Sequence, residues 1–266
     1  MFFKVCIGEI TKQRLNYFNS ISTYISLLIW PILTIITCIY SYKSFDIEPL
    51  KIYGINSRND LSVFIITGFL CFNCFFTMVQ SGLFMHSERE NGTLETVFLS
   101  PAPRLAIMYG RALGALFQST WIILLYSVVL FLLEKEKIII TIIKLPLVYL
   151  IIIISSTIWG GLINAIFTLS RDIGFWFTLC EDPMKFLSGV SMPISVIPVC
   201  IRWLSVIFPL TFCLDLIRGI IIYEDELSVS ACIKYIIVNL IVVAITILIL
   251  RKGEINNRET GNLQLY

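Results

Sequence analysis

The chain has 266 residues and a formal net charge of +2, with 57% hydrophobic and only 14% charged residues. Soluble proteins carry about a quarter charged residues, so this composition predicts a polytopic membrane protein. The net charge is too small, and the basic residues too scattered, to indicate nucleic acid as a partner.

Residues 1–19 are expected to form a helix that lies in the plane of the membrane interface, because apolar and charged residues alternate at helical spacing. The apolar run that follows is longer than a signal-peptide core and has no convincing cleavage site, so no signal peptide is expected. The apolar side would carry Phe3, Ile7, Ile10 and Phe18, and the charged side Lys4, Glu9, Lys12 and Arg14.

Six apolar runs are long enough to cross a membrane as helices. The first has 22 residues and would rise about 33 Å as a helix. We therefore predict an all-α fold with one transmembrane domain over residues 1–266 and both termini on one side. The predicted spans are 21–42, 61–85, 106–133, 145–169, 174–191 and 228–250.

The segment 192–226 is apolar but interrupted by Pro193, Pro198 and Pro209. No part of it is long and uniform enough to cross the bilayer comfortably. We expect one or two short helices that enter the membrane and return on the same side.

The segment 87–103 is the longest strongly polar stretch between two predicted spans, and we expect the chain to turn in water there. It opens with three consecutive charges and then the Asn-Gly pair that is typical of turns: Glu88, Arg89, Glu90, Asn91, Gly92.

A short amphipathic helix is expected next, over Leu94–Leu99. The Thr93 hydroxyl would cap it, and Glu95 would lie at the positive end of its dipole. Pro101 and Pro103 would end it. This helix could form a simple hairpin on the membrane surface, or another protein could bind it. Its apolar side would carry Leu94, Val97 and Phe98.

Asn73, Thr77 and Gln80 project from one face of the second span, at i, i+4 and i+7. Hydrogen bonds to other helices and the wall of a translocation path are both compatible with this stripe. Two further faces of small and polar residues indicate close helix packing. These are Gly110 and Gly114 on the third span, and Thr157, Gly161, Asn164 and Thr168 on the fourth.

Glu181 and Asp182 are adjacent acids in the fifth span, followed by Pro183. Lys185 lies four residues after Glu181, the favourable order for an ion pair on a helix. Asp182 could face water and attract cationic cargo, or the proline could break the helix and leave both acids near a surface.

No catalytic, cofactor or metal site is expected on this chain. Its only histidine, His86, lies at the end of the second span, and no phosphate-binding Gly-rich loop is present. Cys71 and Cys74 lie in an apolar run, where cysteine behaves as a small hydrophobe. Cys200 and Cys213 could be bridged or free.

Two stretches resemble the membrane (permease) subunits of type-2 ATP-binding-cassette (ABC) exporters, in the order and separation typical of that family. The first is similar to the stretch after the second span of those proteins: Glu88-Arg89-Glu90, Gly92-Thr93-Leu94-Glu95 and Ser100-Pro101. The second is similar to the segment after their fifth span: Phe186-Leu187-Ser188-Gly189, Pro193, Pro198, Pro209-Leu210-Thr211 and Asp215-Leu216-Ile217-Arg218-Gly219.

The resemblance implies that ATP and magnesium bind a separate ABC ATPase subunit and that the chain pairs with a second copy or a similar permease. It also implies a coupling helix that contacts the ATPase, and a route lined by the second and fifth spans. The implied coupling residues are Glu88, Arg89, Glu90, Gly92, Thr93, Leu94, Glu95 and Phe98. The path candidates are Asn73, Thr77, Gln80, Glu181 and Asp182.

The orientation also comes from the resemblance, because ten of the 20 Lys and Arg residues fall on each side. It implies a bacterial cytoplasmic membrane, with both termini and segment 87–103 in the cytoplasm. The cargo could be a drug, a peptide antibiotic, a lipid or a lipid-linked glycan. Two alternatives need no ATPase: an ion-coupled carrier that uses Glu181 and Asp182, and a non-transporting membrane scaffold.

Overall fold

The structure is a computed structural model. It describes residues 1–17, 21–42, 48, 51, 55, 57–133, 138–170, 172–222 and 228–260, apart from the side chains of a few helical residues. Within these ranges the chain is almost entirely helical and contains no β-strand. The α-helices are α1 Phe2–Tyr17, α2 Ile21–Tyr42, α3 Arg58–Glu90, α4 Thr93–Leu99, α5 Arg104–Gly114, α6 Leu116–Leu133, α7 Ile138–Leu169, α8 Ile173–Leu187, α9 Val199–Arg202, α10 Pro209–Ile221 and α11 Val229–Thr260.

Five helical stretches in the described ranges are long and apolar enough to cross a membrane. Together with the all-helical backbone, they confirm the predicted all-α polytopic fold. A further pair, 199–207 and 209–221, is bent by 92° and forms either a broken span or a re-entrant loop. The five stretches are Ile21–Ser41, Arg58–Glu90, Arg104–Leu133, Ile143–Thr168 and Val229–Gly253.

The predicted fifth span is shorter in the structure than a crossing helix. Helix α8 has 15 residues, which rise about 22 Å and fall short of a hydrocarbon core of about 30 Å. Ser188 follows it, and Gly189 takes a positive φ of 80° that a side chain would strain. The count of six spans therefore stays a prediction.

Helix α3 lies at the centre of the bundle. In its most apolar stretch 89% of the residues are buried, against 22% for α2 and 28% for α11. It packs against α6, α7, α8 and α10. The exposed apolar faces of α2 and α11 are those expected of helices in contact with lipid.

The two ends of α3 define two sides of the molecule. Its last residues, with α1, α4 and the start of α5, form what we call the elbow side. Its first residues, with α9 and α10, form the far side. Arg218 of α10 connects elements of the far side, because it donates to the carbonyl oxygens of Gly189 at 2.7 Å, Val190 at 3.0 Å and Phe64 at 3.1 Å.

Helix α1 packs along α5, and the two glycines of the third span allow the close approach. A Cβ at Gly110 would lie 2.9 Å from Cα of Cys6, and one at Gly114 would lie 2.8 Å from the side chain of Gln13. Burial raises the pKa of the Cys6 thiol. Its Sγ lies 3.4 Å from the carbonyl oxygen of Ala106, so the protonated thiol acts as a donor between the helices.

One charged residue of α1 lies inside the bundle. Phe3 and Ile7 are exposed, which is compatible with an apolar side that faces lipid, while Glu9 of the charged side is buried. Glu9 is held inside by cations of this chain, which the spacing of residues on α1 does not show.

Polar residues on α7 hydrogen-bond to neighbouring helices, which explains the small and polar face of the fourth span. Asn164 Nδ2 donates to Ser81 Oγ at 3.2 Å and to the carbonyl oxygen of Met108 at 3.2 Å. The Ser155 hydroxyl donates to Asn239 Oδ1 at 3.0 Å. These bonds fix the packing of α7 against α3, α5 and α11.

The contact between α1 and α5 predicts the effect of Gly110→Ala. The added methyl group would lie too close to the backbone of Cys6 and the side chain of Glu9 on α1. We therefore expect the free energy of unfolding to fall by about 1–3 kcal/mol. Thermal unfolding of the detergent-purified protein measures it.

Gly8→Ala is the matched control, because no described atom lies within 4 Å of a Cβ there. Alanine is also the better helix former, so this variant should unfold at the same temperature or a higher one. Equal unfolding temperatures for the two variants would refute the close contact.

Candidate functional site

The segment 87–103, which we call the elbow, joins the second and third predicted spans. Helix α3 continues through the three charges to Glu90, five residues beyond the predicted end of the span. The chain then turns at Asn91 and Gly92, as the Asn-Gly pair indicates, and Gly92 has a φ of 68°. Helix α4 follows over Thr93–Leu99.

The predicted cap of α4 is wrong. Gly92, not Thr93, occupies the capping position, and no side chain caps the helix. Thr93 is the first helical residue, and its hydroxyl donates to the carbonyl oxygen of Glu88 at 3.1 Å. The left-handed turn at Gly92 already reverses the chain, so the Thr93 hydroxyl reaches the end of α3 instead.

The apolar side of α4 faces its own chain. Leu94 is 7% exposed and packs in a cluster with Met85 and Met108, and Val97 is half-buried against the same cluster. The side chains of Glu95 and Phe98, two of the predicted coupling residues, lie outside the described part of the chain. Helix α4 is therefore packed against the helix bundle on its apolar side.

A buried charge cluster attaches the elbow to α1 and α5. Lys12 Nζ lies 3.0 Å from Oε2 of Glu9 and 3.0 Å from Oε1 of Glu88. Arg111 Nη2 donates to Oε2 of Glu88 at 2.7 Å and lies 3.6 Å from Oε2 of Glu9. We use the name charge cluster for these four residues: Glu9, Lys12, Glu88 and Arg111.

The charge cluster is electrically balanced and poorly accessible to water. Arg111 is fully buried, and the carboxylates of Glu9 and Glu88 are about 10% exposed. Removing one member of such a group leaves an uncompensated buried charge, which is strongly destabilising. The elbow can therefore separate from α1 and α5 only at a high cost in free energy.

The next residue, Arg89, attaches the elbow to α7. Its Nη2 donates to the carbonyl oxygens of Thr168 at 2.6 Å and Phe167 at 3.2 Å, and its Nη1 donates to that of Ser170 at 3.0 Å. These are the free carbonyls at the end of α7, where the helix dipole also favours a cation.

The other side of the elbow is exposed. Among the side chains that the structure describes there, it combines polar groups with one large apolar side chain, Leu99, which is 77% exposed. Of the predicted coupling residues, Glu90, Gly92 and Thr93 are exposed here, whereas Glu88, Arg89 and Leu94 are buried or partly buried. The exposed residues of the elbow are Ser87, Glu90, Asn91, Gly92, Thr93, Thr96, Leu99, Pro101 and Pro103.

Asn73 and Thr77, two of the path candidates on α3, hydrogen-bond to α6. Asn73 Nδ2 donates to the Tyr126 hydroxyl at 2.9 Å, and the hydroxyls of Thr77 and Ser119 lie 2.9 Å apart. Both α3 residues are buried. They therefore hold helices together, whatever further role they have.

The same stripe also lines a cavity of about 420 Å³ between α2, α3 and α6, which we call the polar cavity. Gln80 and Gln118 contribute amides to it, and their side chains lie 3.5 Å apart. None of the lining residues is charged. They are Ser26, Leu27, Trp30, Pro31, Asn73, Phe76, Thr77, Gln80, Gln118 and Ile122.

The two acids of α8 do not line the polar cavity. Asp182 is exposed and Glu181 is half-buried. The sequence spacing favours an ion pair between Glu181 and Lys185. Both residues are described in the structure, and this ion pair does not form. The ammonium of Lys185 lies 5.4 Å from the ring centre of Phe69 on α3 instead, a favourable cation–π contact.

Sequence reasoning missed most of the charge cluster. The sequence predicts Glu9 and Lys12 on the charged side of an interfacial helix, and the pattern does not pair Arg111 with either of them. One signal was available: Arg111 falls inside a predicted span, and an ionisable residue there is expected to have a buried partner.

The sequence model of the ABC-2 type transporter family matches residues 7–222. The match covers most of the chain, which therefore belongs to this family. The chain is thus a membrane permease subunit of an ABC transporter, and the family as a whole implies an ABC ATPase as partner. A search among curated proteins gave no match.

The charge cluster predicts a large effect of Arg111→Gln. The variant leaves two buried carboxylates with Lys12 as the remaining cation, so we expect the free energy of unfolding to fall by about 3–5 kcal/mol. The double variant Glu88→Gln with Arg111→Gln restores the charge balance and should recover a large part of the loss. Thermal unfolding in detergent measures both.

Lys51→Gln is the control, because Lys51 pairs with Glu48 at 3.4 Å with side chains that are 56% and 81% exposed. Such a pair contributes at most about 1 kcal/mol. If Arg111→Gln and Lys51→Gln unfold at similar temperatures, the charge cluster does not hold the elbow.

Proposed function

We propose that the chain exports an amphiphilic substrate across the cytoplasmic membrane, driven by ATP hydrolysis on a separate ABC ATPase subunit. The observation that carries the proposal is the arrangement of the elbow. Its inner side is bonded to α1, α5 and α7, while its outer side is exposed. An exposed surface on a firmly attached segment can receive force from a partner.

The exposed side of the elbow is the proposed ATPase contact. Leu99 would supply apolar area, and Glu90 and Thr93 would supply polar contacts at its edge. Such a combination of an apolar centre and a polar rim is typical of protein interfaces. In this proposal the elbow and both termini are cytoplasmic.

Glu88 and Arg89 would act inside the permease rather than on the ATPase. Their side chains connect the elbow to three helices, so a displacement of the elbow would move α1, α5 and α7 together with α3. Different contacts of the elbow in the ATP-bound and ATP-free states of the ATPase would supply the coupling.

The translocation route is proposed to run along α3, between this chain and a second copy or a similar permease. The polar cavity supports this placement, because hydrogen-bonding groups of Asn73, Thr77 and Gln80 meet apolar side chains there. A site with that mixture suits an amphiphile such as a drug, a peptide antibiotic, a lipid or a lipid-linked glycan.

Asp182 favours a second candidate, an ion-coupled carrier. Its carboxylate is exposed on a helix of an apolar segment. Placing a charged side chain at membrane depth costs free energy, and such residues often mark ion pathways. The two candidates differ in their partner. Purification of the chain with a bound ATPase supports the first, whereas transport by the chain alone on a proton gradient supports the second.

Leu99→Asp tests the elbow contact. The variant places a charge in the proposed apolar centre of the interface, so we expect ATPase binding to weaken at least tenfold, with the loss of ATP-dependent export of a fluorescent amphiphile such as a rhodamine dye. Co-purification and vesicle transport measure the two effects.

Val229→Asp is the matched control, because Val229 is 73% exposed in the first turn of α11, against 77% for Leu99. It should bind the ATPase as the unmodified protein does. Normal ATPase binding by Leu99→Asp would contradict the proposed contact.

Two substitutions in the polar stripe separate structural from transport roles. Asn73→Leu leaves the buried Tyr126 hydroxyl without its partner and should cost about 1–3 kcal/mol of stability. Gln80→Leu removes only a long hydrogen bond, so stability should change little while transport of the dye changes. Unfolding and vesicle transport measured on both variants test this. If Gln80→Leu leaves transport of a panel of amphiphiles unchanged, the polar cavity is not on the route.

A further inference from the structure

A second cavity, of about 470 Å³, lies on the far side, away from the elbow and the polar cavity. We call it the far-side pocket. It is formed by the first turns of α3, the segment after α8, and the facing surfaces of α9 and α10. Its lining residues are Phe64, Pro193, Ile194, Ser195, Arg202, Asp215 and Arg218.

Arg202, which lines this pocket, has N–H donors that the described residues do not use. Arg202 uses Nη2 to donate to the carbonyl oxygens of Ser195 at 2.6 Å and Ile197 at 3.0 Å, and uses Nε for the latter as well. These bonds fix the guanidinium in position. Its Nη1 has no bond to any residue that the structure describes, and the side chain is only partly buried.

Asp215 supplies the opposite charge in the same pocket. Its residue is exposed, and the positive charges of Arg218, in the same pocket, and of Lys234 act on its carboxylate. Arg202 and Asp215 form no ion pair with each other, so the pocket presents a cationic donor and an anionic acceptor at separate positions. A ligand with both an acidic and a basic group would satisfy both at once.

The floor of the pocket is preformed. Arg218 is 6% exposed and bonded to three backbone carbonyls, and its guanidinium lies 3.4 Å from the ring centre of Phe64. A Cβ at Gly68 would overlap the carbonyl oxygen of Val190, so α3 approaches this segment closely. A ligand would therefore meet a fixed site rather than organise one.

The surface beside Arg202 is apolar and exposed. Val199, Trp203 and Val206, at 78%, 64% and 59% exposure, follow helical spacing on one face of the bent segment. Exposed aliphatic side chains with a tryptophan are typical of the boundary between lipid tails and headgroups. The charged pocket therefore opens where lipid headgroups are expected.

We propose that the far-side pocket binds the headgroup of a zwitterionic phospholipid that carries a primary ammonium, with the phosphate on Arg202 and the ammonium on Asp215. The acyl chains lie along the exposed face of Val199, Trp203 and Val206. A primary ammonium is favoured over a quaternary one because it can donate hydrogen bonds to the carboxylate. The site does not depend on the direction of transport or on the cargo.

The test is a calorimetric titration of the detergent-purified complex with three probes: dihexanoyl phosphatidylethanolamine, dihexanoyl phosphatidylglycerol and free phosphoethanolamine. The unmodified protein should bind phosphatidylethanolamine about three- to fivefold more tightly than phosphatidylglycerol, as expected for one partly exposed ion pair. Free phosphoethanolamine should bind more weakly than the lipid, because it lacks the acyl contacts.

Three variants test which side chain binds which group of the lipid. Asp215→Asn should abolish the preference between the two lipids, and Asp215→Glu should restore it. Arg202→Gln should weaken both lipids by a similar factor, because both carry the phosphate. Glu48→Gln is the control for loss of a carboxylate outside the pocket, since Glu48 is highly exposed and pairs with Lys51. Unfolding without ligand shows which variants are folded.

The comparison of probes on the unmodified protein needs no variant and can overturn the proposal by itself. Equal or tighter binding of phosphatidylglycerol would do so, and so would a preference that persists in folded Asp215→Asn. If free phosphoethanolamine binds as tightly as the lipid, the pocket takes a soluble zwitterion and the lipid assignment is wrong.

Discussion

The buried ion pairs of the charge cluster are the constraint on which the elbow depends. Arg111 is fully buried and reaches two carboxylates from different helices. In a poorly hydrated environment these charges are tolerated only while they stay together. Helix α1, the end of α3 and the last turn of α5 are therefore expected to move as one unit, although they are separate in the sequence.

Helix α3 connects this unit to the opposite side of the molecule. At one end Glu88 and Arg89 bond to three helices, and at the other end Phe64 accepts a hydrogen bond from Arg218. The polar cavity lies along the helix between these two points. A displacement applied at the elbow would thus reach both the cavity and the bent pair of helices 199–207 and 209–221, as expected of an ABC permease that responds to a distant ATPase.

Local patterns were sufficient for much of the fold. The apolar run 21–42 coincides with α2, and the Asn91-Gly92 pair gives the turn after α3. Long-range pairing was not accessible in this way. Arg111 finds its partners through the packing of α1 on α5, and Lys185 contacts a ring on α3 instead of Glu181. Such choices depend on which helices meet, and the spacing of residues on one helix does not show this.

One distance tests the central claim most directly. Spin labels at Thr96 of α4 and Lys4 of α1, both exposed, can be introduced after replacing the accessible Cys200 and Cys232. Pulsed electron paramagnetic resonance on the complex with its ATPase would measure their separation. We expect one narrow distribution that is the same with and without ATP, because the charge cluster holds α4 and α1 together. A broad distribution, or one that shifts when ATP binds, would show that the elbow moves independently of α1.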